Sequence, residues 1–213
     1  MRTIQRVVRR AALPAEYSKG FNPHMNLSIA QPLSVGMYSE GEYMDLNLTE
    51  EVDESYIIDK LNENSPSGVG FIKAVKIEDI EDKKKIPQAM ALIEAAQYEI
   101  VIRYKDSCLL SDELSNLEKR TVWESLKKSK SGEKLVDIKP MVKTINYNIA
   151  DNKLTINCIL SCGSRENLSA ELLAQYIRSS TSNVEEQAFI DVKRIELYYY
   201  EDNKLVPLYN CRQ

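Results

Sequence analysis

The sequence predicts an α+β protein made of two ferredoxin-like α/β sandwich units in tandem, the first of which lacks its N-terminal strand. Three observations lead to this prediction. Segments with helical spacing of apolar residues alternate with strand-like segments along the 213 residues. The first half follows the order α, β, β, α, β, which is the ferredoxin-like order without its first strand. A charged stretch at 78–87 then separates a domain at 1–80 from a second α+β domain at 88–213.

The first helix is predicted between Arg2 and Leu13. Ile4, Val7, Val8 and Ala11 recur at helical spacing and form one apolar stripe. Pro14 is expected to end the helix, because the residue before a proline is displaced from the α region. A second face carries four arginines that no glutamate interrupts, namely Arg2, Arg6, Arg9 and Arg10. This face is either simply solvated or a contact surface for phosphates.

The next segment, Tyr17-Ser18-Lys19-Gly20-Phe21-Asn22-Pro23-His24, is predicted to be a loop and contains the only histidine of the sequence. It combines aromatic rings with hydrogen-bonding groups next to a cationic helix, a combination that is typical of surfaces where bases stack. Phe21 is either a plug in the core or a stacking ring. His24 is a structural residue, a phosphate or base contact, or an acid-base catalyst.

The remaining elements follow from alternation and from helix-capping signals. In the first half we expect strands at 25–30, 42–48 and 69–77, and a helix that Asp53 caps and that ends at Asn62. Glu40, Glu42 and Asp45 are interpreted as ion-pair partners of the arginines rather than as a metal site. In the second half the expected helices are 90–96, 112–118 and 168–177, and the expected strands are 98–104, 121–127, 135–148, 153–160 and 192–200, with a hairpin turn at 150–153.

Composition and charge restrict the class of protein. Residues 1–24 carry five cations and one carboxylate, a local net charge of +4, while the rest of the chain carries −8. A basic end on an acidic body indicates an anionic partner, most simply one with phosphates. No apolar run is long enough to span a membrane, and the basic first residues lack the apolar region of a secretory signal, so we expect a cytoplasmic protein. Cys108, Cys158, Cys162 and Cys211 are expected to be structural thiols, with no metal and no cofactor.

Several motifs together resemble a known family. The chain contains Arg9-Arg10-Ala11-x-Leu13-Pro14-x-x-Tyr17-Ser18-x-Gly20-Phe21-Asn22-Pro23-His24, then Pro32-Leu33-x-x-Gly36, Ser39-x-x-Glu42-Tyr43-x-Asp45, and much later Lys134-x-x-Asp137-Ile138-Lys139-Pro140. This pattern resembles the bacterial radical-SAM-associated domain of unknown function. The resemblance covers nearly the whole chain and implies a radical-SAM protein as a neighbour. Members of that family usually begin with a further strand and a histidine-containing turn, which agrees with the missing first strand; either the chain begins late or a partner supplies that sheet edge.

These observations support three functional hypotheses. The first is an accessory RNA-binding module that presents tRNA or rRNA to a radical-SAM modifying enzyme and is not catalytic by itself. Its expected phosphate and base contacts are Arg2, Arg6, Arg9, Arg10, Lys19, Phe21, Asn22 and His24. The second is a protein-only adaptor that docks on a radical-SAM partner through the incomplete sheet. The third is a metal-independent endoribonuclease with His24 as general acid or base, assisted by Tyr17.

Overall fold

The protein is described by a computed structural model that covers residues 1–77, 87–129 and 132–211. It is an α+β protein in which helices alternate with three separate β-sheets over these residues. Most of the predicted charged linker, residues 78–86, lies outside the described residues.

The described residues form two compact units that are not contiguous in sequence. The first unit contains residues 1–30, 43–77 and 87–90, and the second contains residues 31–42, 91–129 and 132–211. Residues 31–42, which we call the strap, therefore group with the second unit, although in sequence they lie between two strands of the first. Nothing in the composition of the strap indicates this grouping.

The first unit consists of two helices and a short sheet. Its helices and strands are α1 (Arg2–Arg10), β1 (Leu27–Ile29), β3 (Met44–Leu46) and α2 (Glu54–Glu63). β1 and β3 are antiparallel, with Ser28 opposite Asp45. Asp53 caps α2 as predicted, because its carboxylate accepts hydrogen bonds from the backbone N–H groups of Ser55 and Tyr56.

The core of the first unit lies between α1, α2 and the short sheet. Val7 and Val8 of α1 are buried in this core, as the apolar stripe predicts. Met25 and Leu61 complete the centre of the cluster. Ile4, which was expected on the same stripe, is half-buried and packs against the cluster.

The strand predicted at 69–77 is wrong, because these residues form no strand in the structure. No described strand lies alongside them, so their backbone has no ladder to join. The Asn62 side chain bonds to one residue of the segment instead: its Oδ1 accepts from the Phe71 N–H at 2.7 Å, and its Nδ2 donates to the Phe71 carbonyl at 2.9 Å. Ile72 is left 84% exposed.

The second unit contains the larger sheet, two helices and an inserted hairpin. A four-residue helix, α3 (Ala89–Leu92), leads into it from the first unit, where the sequence predicts a longer helix. Its strands and helices are β2 (Tyr38–Ser39), β4 (Ala95–Arg103), α4 (Leu110–Lys119), β5 (Glu124–Ser129), β6 (Gly132–Asp137), β7 (Val142–Ala150), β8 (Lys153–Ser161), α5 (Ala170–Ser180), β9 (Asp191–Glu201) and β10 (Lys204–Pro207).

The sheet has the strand order β10-β9-β4-β8-β7, and all these neighbours are antiparallel. β2 of the strap adds a short parallel pairing to β9. β5 and β6 form a separate two-stranded hairpin between α4 and β7. The predicted strand 135–148 is thus two strands, which are separated by a 3-10 turn at Lys139–Met141.

The buried faces of α4 and α5 form the core of the second unit with the sheet. Leu114 and Leu117 of α4 are buried, and so are Leu173 and Ile177 of α5. Trp123 is also buried, and its indole N–H donates to the Leu117 carbonyl at 3.1 Å.

Candidate nucleic-acid interface

α1 presents an arginine face to solvent. Val7 and Val8 face the core, so the other side of this nine-residue helix is free to carry charge. All four arginines are exposed, and none has an ion pair or hydrogen bond among the described side chains: Arg2, Arg6, Arg9 and Arg10. Arg9 and Arg10 lie in the last turn, where the helix dipole stabilises cations, but Arg2 lies in the first turn, where it does not.

The helix ends earlier than predicted. It stops at Arg10, three residues before Leu13, because Ala12 adopts a positive φ of 53° that is incompatible with a right-handed helix. Leu13 is buried after this turn. The chain then becomes extended, and Ala15 forms an antiparallel bridge with Leu48.

The loop from Tyr17 to His24 is closed at its base. The Ser18 N–H donates to the His24 carbonyl at 2.8 Å, and the His24 N–H donates to Ser18 Oγ at 2.9 Å. Tyr17 and Met25 form an antiparallel bridge directly below, and Met25 is buried in the core that also contains Val7 and Val8. The same core thus anchors both the arginine helix and the loop.

The tip of the loop extends fully into solvent. Gly20 adopts a φ of 129°, which only glycine adopts without strain. Phe21 follows it with a relative exposure of 113%, so of the two alternatives for this ring the core plug is wrong. An aromatic ring in this position covers nothing within the unit. It is available to a planar partner.

The other predicted contact residues of the loop are also exposed. Lys19, Asn22 and His24 are all accessible, and their side chains have no hydrogen bond among the described residues. Tyr17, the second candidate for acid-base chemistry, is 43% exposed. No described side chain hydrogen-bonds the His24 imidazole, so no described residue fixes the orientation of this ring.

Glu16 is the one carboxylate in this basic region. It accepts hydrogen bonds from Asn26 Nδ2 at 2.8 Å and from Asn47 Nδ2 at 3.2 Å. These two amides, with a smaller contribution from the charge of Lys19, lower the pKa of the carboxyl group. Glu16 is thus held by amides rather than by arginines, and among the described side chains no carboxylate pairs with the arginines of α1.

The acidic residues of the strap and β3 do not pair with the arginines of α1. Glu42 pairs with Arg194, and Glu40 pairs with Lys193, both within the second unit. Asp45 accepts from Ser28 Oγ and from the Ala89 N–H. The predicted pairing of these carboxylates with the arginines of α1 is therefore wrong: the two glutamates form ion pairs, but with Arg194 and Lys193 of β9. Among the described residues no group of three or more potential metal ligands comes together.

Two cysteines are deeply buried in the second unit. Burial raises the pKa of the Cys158 thiol to about 12 and that of the Cys162 thiol to about 11. Thiols in this state are poor nucleophiles and poor metal ligands. Cys108, in contrast, is exposed.

Sequence reasoning missed two features. One is the burial of Arg194 and its ion pair with Glu42. Arg194 lies in a strand with several polar residues, and nothing in the sequence distinguishes it from the others. The other is the β5–β6 hairpin, where Leu126 and Leu135 face each other across the strands and are 57% and 58% exposed. The lysine-rich run at 127–134 was a signal for a solvated turn and could have identified the hairpin.

The fold and this surface define the class: an α+β protein with an exposed basic helix and an aromatic loop that share one small core. A family model matches the chain over residues 1–170, and its description is an uncharacterized protein conserved in bacteria (DUF2344). The chain therefore belongs to this bacterial family. A comparison with curated proteins gives no match. In the part of the chain that the structure describes, no helix has the length and apolar character needed to cross a bilayer.

Proposed function

We propose that the chain is an RNA-binding module whose contact surface consists of the arginine face of α1 and the loop from Tyr17 to His24. The single observation that carries the proposal is the fully exposed Phe21 ring at the tip of a loop. This loop shares its core with a helix whose four arginines are exposed and have no partner among the described side chains.

The arginine face supports a polyanionic ligand. Like charges at helical spacing destabilise a helix by a few tenths of a kcal/mol for each pair. Four arginines that have no acidic partner among the described side chains are therefore unfavourable in the free protein. A row of phosphates removes this repulsion and accepts paired hydrogen bonds from each guanidinium group. Such contacts fix the position of a nucleic acid without reading its sequence.

The exposed ring supports RNA with unpaired bases over a regular duplex. Bases in loops and bulges are splayed out and stack on aromatic side chains, whereas bases in a duplex already stack on one another. Phe21 has a free face for one such base, and Asn22 and His24, which are exposed in the same loop, could hydrogen-bond the base edge or the sugar.

The role of the RNA and the partner enzyme extends this proposal. The resemblance to the radical-SAM-associated family implies that the module presents tRNA or rRNA to a radical-SAM enzyme, which would then supply the modification chemistry. The module itself would supply affinity and orientation and would not be catalytic.

We also propose that the second unit is a ferredoxin-like sandwich. If the β5–β6 hairpin and β10 are treated as additions, the remaining elements run β, α, β, β, α, β, and the strands have the spatial order 4-1-3-2. This arrangement supports a ferredoxin-like sandwich for residues 91–211. The first unit, with its two-stranded sheet, would be a reduced form of the same arrangement.

The proposal predicts salt-dependent RNA binding that requires Arg6 and Arg9. We expect Arg6→Gln/Arg9→Gln to lower affinity and to reduce the slope of log K against log salt by about 1.4, the value for two lost phosphate contacts on a single strand. The measurement is a fluorescence anisotropy titration of tRNA and rRNA fragments at several salt concentrations.

The matched control is Lys153→Gln/Lys204→Gln, which removes the same charge from two exposed lysines of the second unit. Its affinity and salt slope should stay close to those of the wild-type protein. If both double variants behave alike, or if the wild type binds no RNA, the proposed surface is wrong.

A second prediction concerns the ring at the loop tip. Phe21→Ala should weaken binding by about 1–3 kcal/mol, the usual contribution of one stacked base, without changing the salt slope. Phe21→Tyr should bind almost as the wild type does, because it keeps the stacking face. Equal affinity for Phe21→Ala and Phe21→Tyr would show that no base stacks there.

The same experiments separate the two alternative functions. Metal-free cleavage of the RNA that is lost in His24→Ala would indicate an endoribonuclease. A stable complex with a radical-SAM protein, isolated without nucleic acid and with no RNA affinity of its own, would indicate a docking adaptor.

A further inference from the structure

The outer edge of β7 is an unpaired sheet edge. β7 is the last strand in the order β10-β9-β4-β8-β7, and it pairs on one side with β8 over nearly its whole length. In the part of the chain that the structure describes, no other segment bonds to its second side.

The turn between β7 and β8 determines which backbone groups point outward. Asp151 and Asn152 have φ values of 50° and 56°, which define a tight two-residue hairpin turn. In such a hairpin the flanking pair, Ala150 and Lys153, exchanges both of its hydrogen bonds. Counting back by two, Asn148, Asn146 and Thr144 bond to β8. The N–H and C=O groups of Ile145, Tyr147 and Ile149 therefore face outward.

This edge lacks the features that usually protect edge strands. The seven residues at 144–150 contain no charge, no proline and no glycine, and the one irregularity of pairing lies before them, between Val142 and Thr144. The opposite edge differs, since β10 has only four residues, begins with Lys204 and ends with Pro207. Natural sheets use short strands, lysine and proline to prevent edge-to-edge association, so one edge is protected and the other is open.

We propose that β7 pairs antiparallel with β7 of a second copy of this chain, which joins the two sheets across a two-fold axis at Tyr147. In this register the outward groups of Tyr147 meet those of Tyr147 of the second copy. Ile145 lies opposite Ile149 of the second copy, and Ile149 lies opposite Ile145 of the second copy. Each residue whose N–H and C=O groups point outward is therefore opposite another such residue, and the two can hydrogen-bond.

Side-chain chemistry favours this partner over an unrelated extended peptide. The register opposes isoleucine to isoleucine across the axis, a pairing that is favourable between strands. It also brings Lys143 near Asp151 of the second copy, at the two ends of the paired segment. Within one copy, Lys143 Nζ lies 3.7 Å from Glu166 Oε2, a long ion pair, so Asp151 of the second copy would be an additional carboxylate for this lysine. The edge is thus complementary to itself in its backbone hydrogen bonds and in the charges at its ends. The inference does not depend on RNA binding.

The register makes a specific prediction for two exposed asparagines. Asn146 and Asn148 lie on the exposed face of β7, and across the axis Asn146 comes opposite Asn148 of the second copy. Asn146→Lys/Asn148→Lys places like charges directly opposite each other, whereas Asn146→Lys/Asn148→Glu places opposite charges there. Neither variant removes a contact within one copy, because both side chains point to solvent.

The experiment is sedimentation of the full chain, wild type and both variants, up to about 0.2 mM, which exceeds the micromolar Kd expected for a small interface. We expect a concentration-dependent dimer of the 24.4 kDa wild-type chain. The double-lysine variant should dimerise at least tenfold more weakly, and the lysine-glutamate variant should dimerise like the wild type. Circular dichroism confirms that each variant is folded.

Three results would overturn the inference: a wild type that stays monomeric at the highest concentration, a double-lysine variant that dimerises as tightly as the wild type, or a lysine-glutamate variant as weak as the double-lysine one. The last result would mean that the interface uses another register or another partner.

Discussion

Arg194 is buried to 2% exposure, and no other charged residue in the described part of the chain is buried. Its guanidinium group donates from Nε and Nη2 to the two carboxylate oxygens of Glu42 at 2.7 and 2.6 Å, and from Nη2 to the Gln31 carbonyl at 2.7 Å. A buried cation requires such complete pairing, because its desolvation is otherwise very costly. Arg194 therefore holds both ends of the strap on β9.

Removing the charge of Glu42 should destabilise the second unit. We expect Glu42→Gln to lower the free energy of unfolding by about 3 kcal/mol, because it leaves the buried guanidinium group without its counter-charge. The measurement is urea denaturation followed by tryptophan fluorescence, since Trp123 is buried in the same unit. Glu40→Gln is the matched control. It breaks an exposed ion pair with Lys193 and should change stability by less than about 1 kcal/mol.

The buried thiols predict a loss of stability at alkaline pH. Burial raises the pKa of Cys158 from 9.0 to about 12. Between these pH values the unfolded chain releases a proton that the folded chain keeps, so stability is complete below pH 9 and falls as the pH rises. For this one thiol the loss by pH 10 is about 1.4 kcal/mol.

Cys158→Ala tests this thiol directly. The variant should be less stable at neutral pH because of the cavity, but its loss between pH 7.5 and pH 10 should be smaller than that of the wild type. Urea titrations with reductant present give both values. Equal pH dependence of the two proteins would contradict the assignment.

At the scale of single elements, sequence patterns predicted most helices and strands but not which segments pair in a sheet. α1, α2, α4 and α5 and the long strands of the second unit have strong periodicity or caps, and their existence is confirmed. The segment 69–77 has strand-like composition, but a strand also needs a neighbour, and composition carries no information about neighbours. The same reason explains why the pairing of β2 with β9 was not predicted.

In the candidate site, too, some features could be predicted from local sequence and others could not. The arginine face follows from helical spacing alone, and the structure has these residues exposed as expected for such a face. The exposure of Phe21 did not follow from the sequence, because it depends on the closure of the loop by Ser18 and His24 and on the backbone of Gly20. Whether these residues contact RNA stays a prediction.

The strap allows a test at Gly41. A Cβ atom at this position would lie 2.6 Å from the Ile195 carbonyl oxygen and 2.9 Å from the Glu196 Cα, both backbone atoms of β9 that cannot move aside easily. Gly41→Ala should therefore destabilise the second unit by about 2 kcal/mol.

Gly70→Ala is the control, because nothing lies within 4 Å of the added methyl group, and this change should be neutral or slightly stabilising. Thermal melts of both variants give the comparison. A Gly41→Ala protein that melts like Gly70→Ala would mean that the strap does not lie against β9.

At the scale of the whole molecule, the strap interrupts the first unit in sequence but belongs to the second unit. A fragment of residues 88–213 contains the large sheet but lacks the strap, so Arg194 would lose its carboxylate partner and the Gln31 carbonyl. We expect this fragment to be less stable than the second unit of the intact chain. Adding a peptide of residues 31–42 should restore stability, since the peptide supplies Glu42 and β2.

The same peptide with Glu42→Gln is the matched control and should bind at least tenfold more weakly, because it lacks the charge that Arg194 requires. Isothermal titration of both peptides into the fragment measures the difference. If the fragment is as stable as the intact chain and ignores both peptides, the strap contributes nothing to the second unit.

The strap also sets an order in time. Glu42 and Arg194 are 152 residues apart in sequence. A ribosome adds about 5–20 residues per second, so Arg194 is synthesised roughly 8 to 30 s after Glu42. During this interval β1 and β3 can already pair, but β9, the strand on which the strap packs, has not yet been synthesised. The first unit must therefore mature with an open loop, and the synthesis of β9 is the event that closes it.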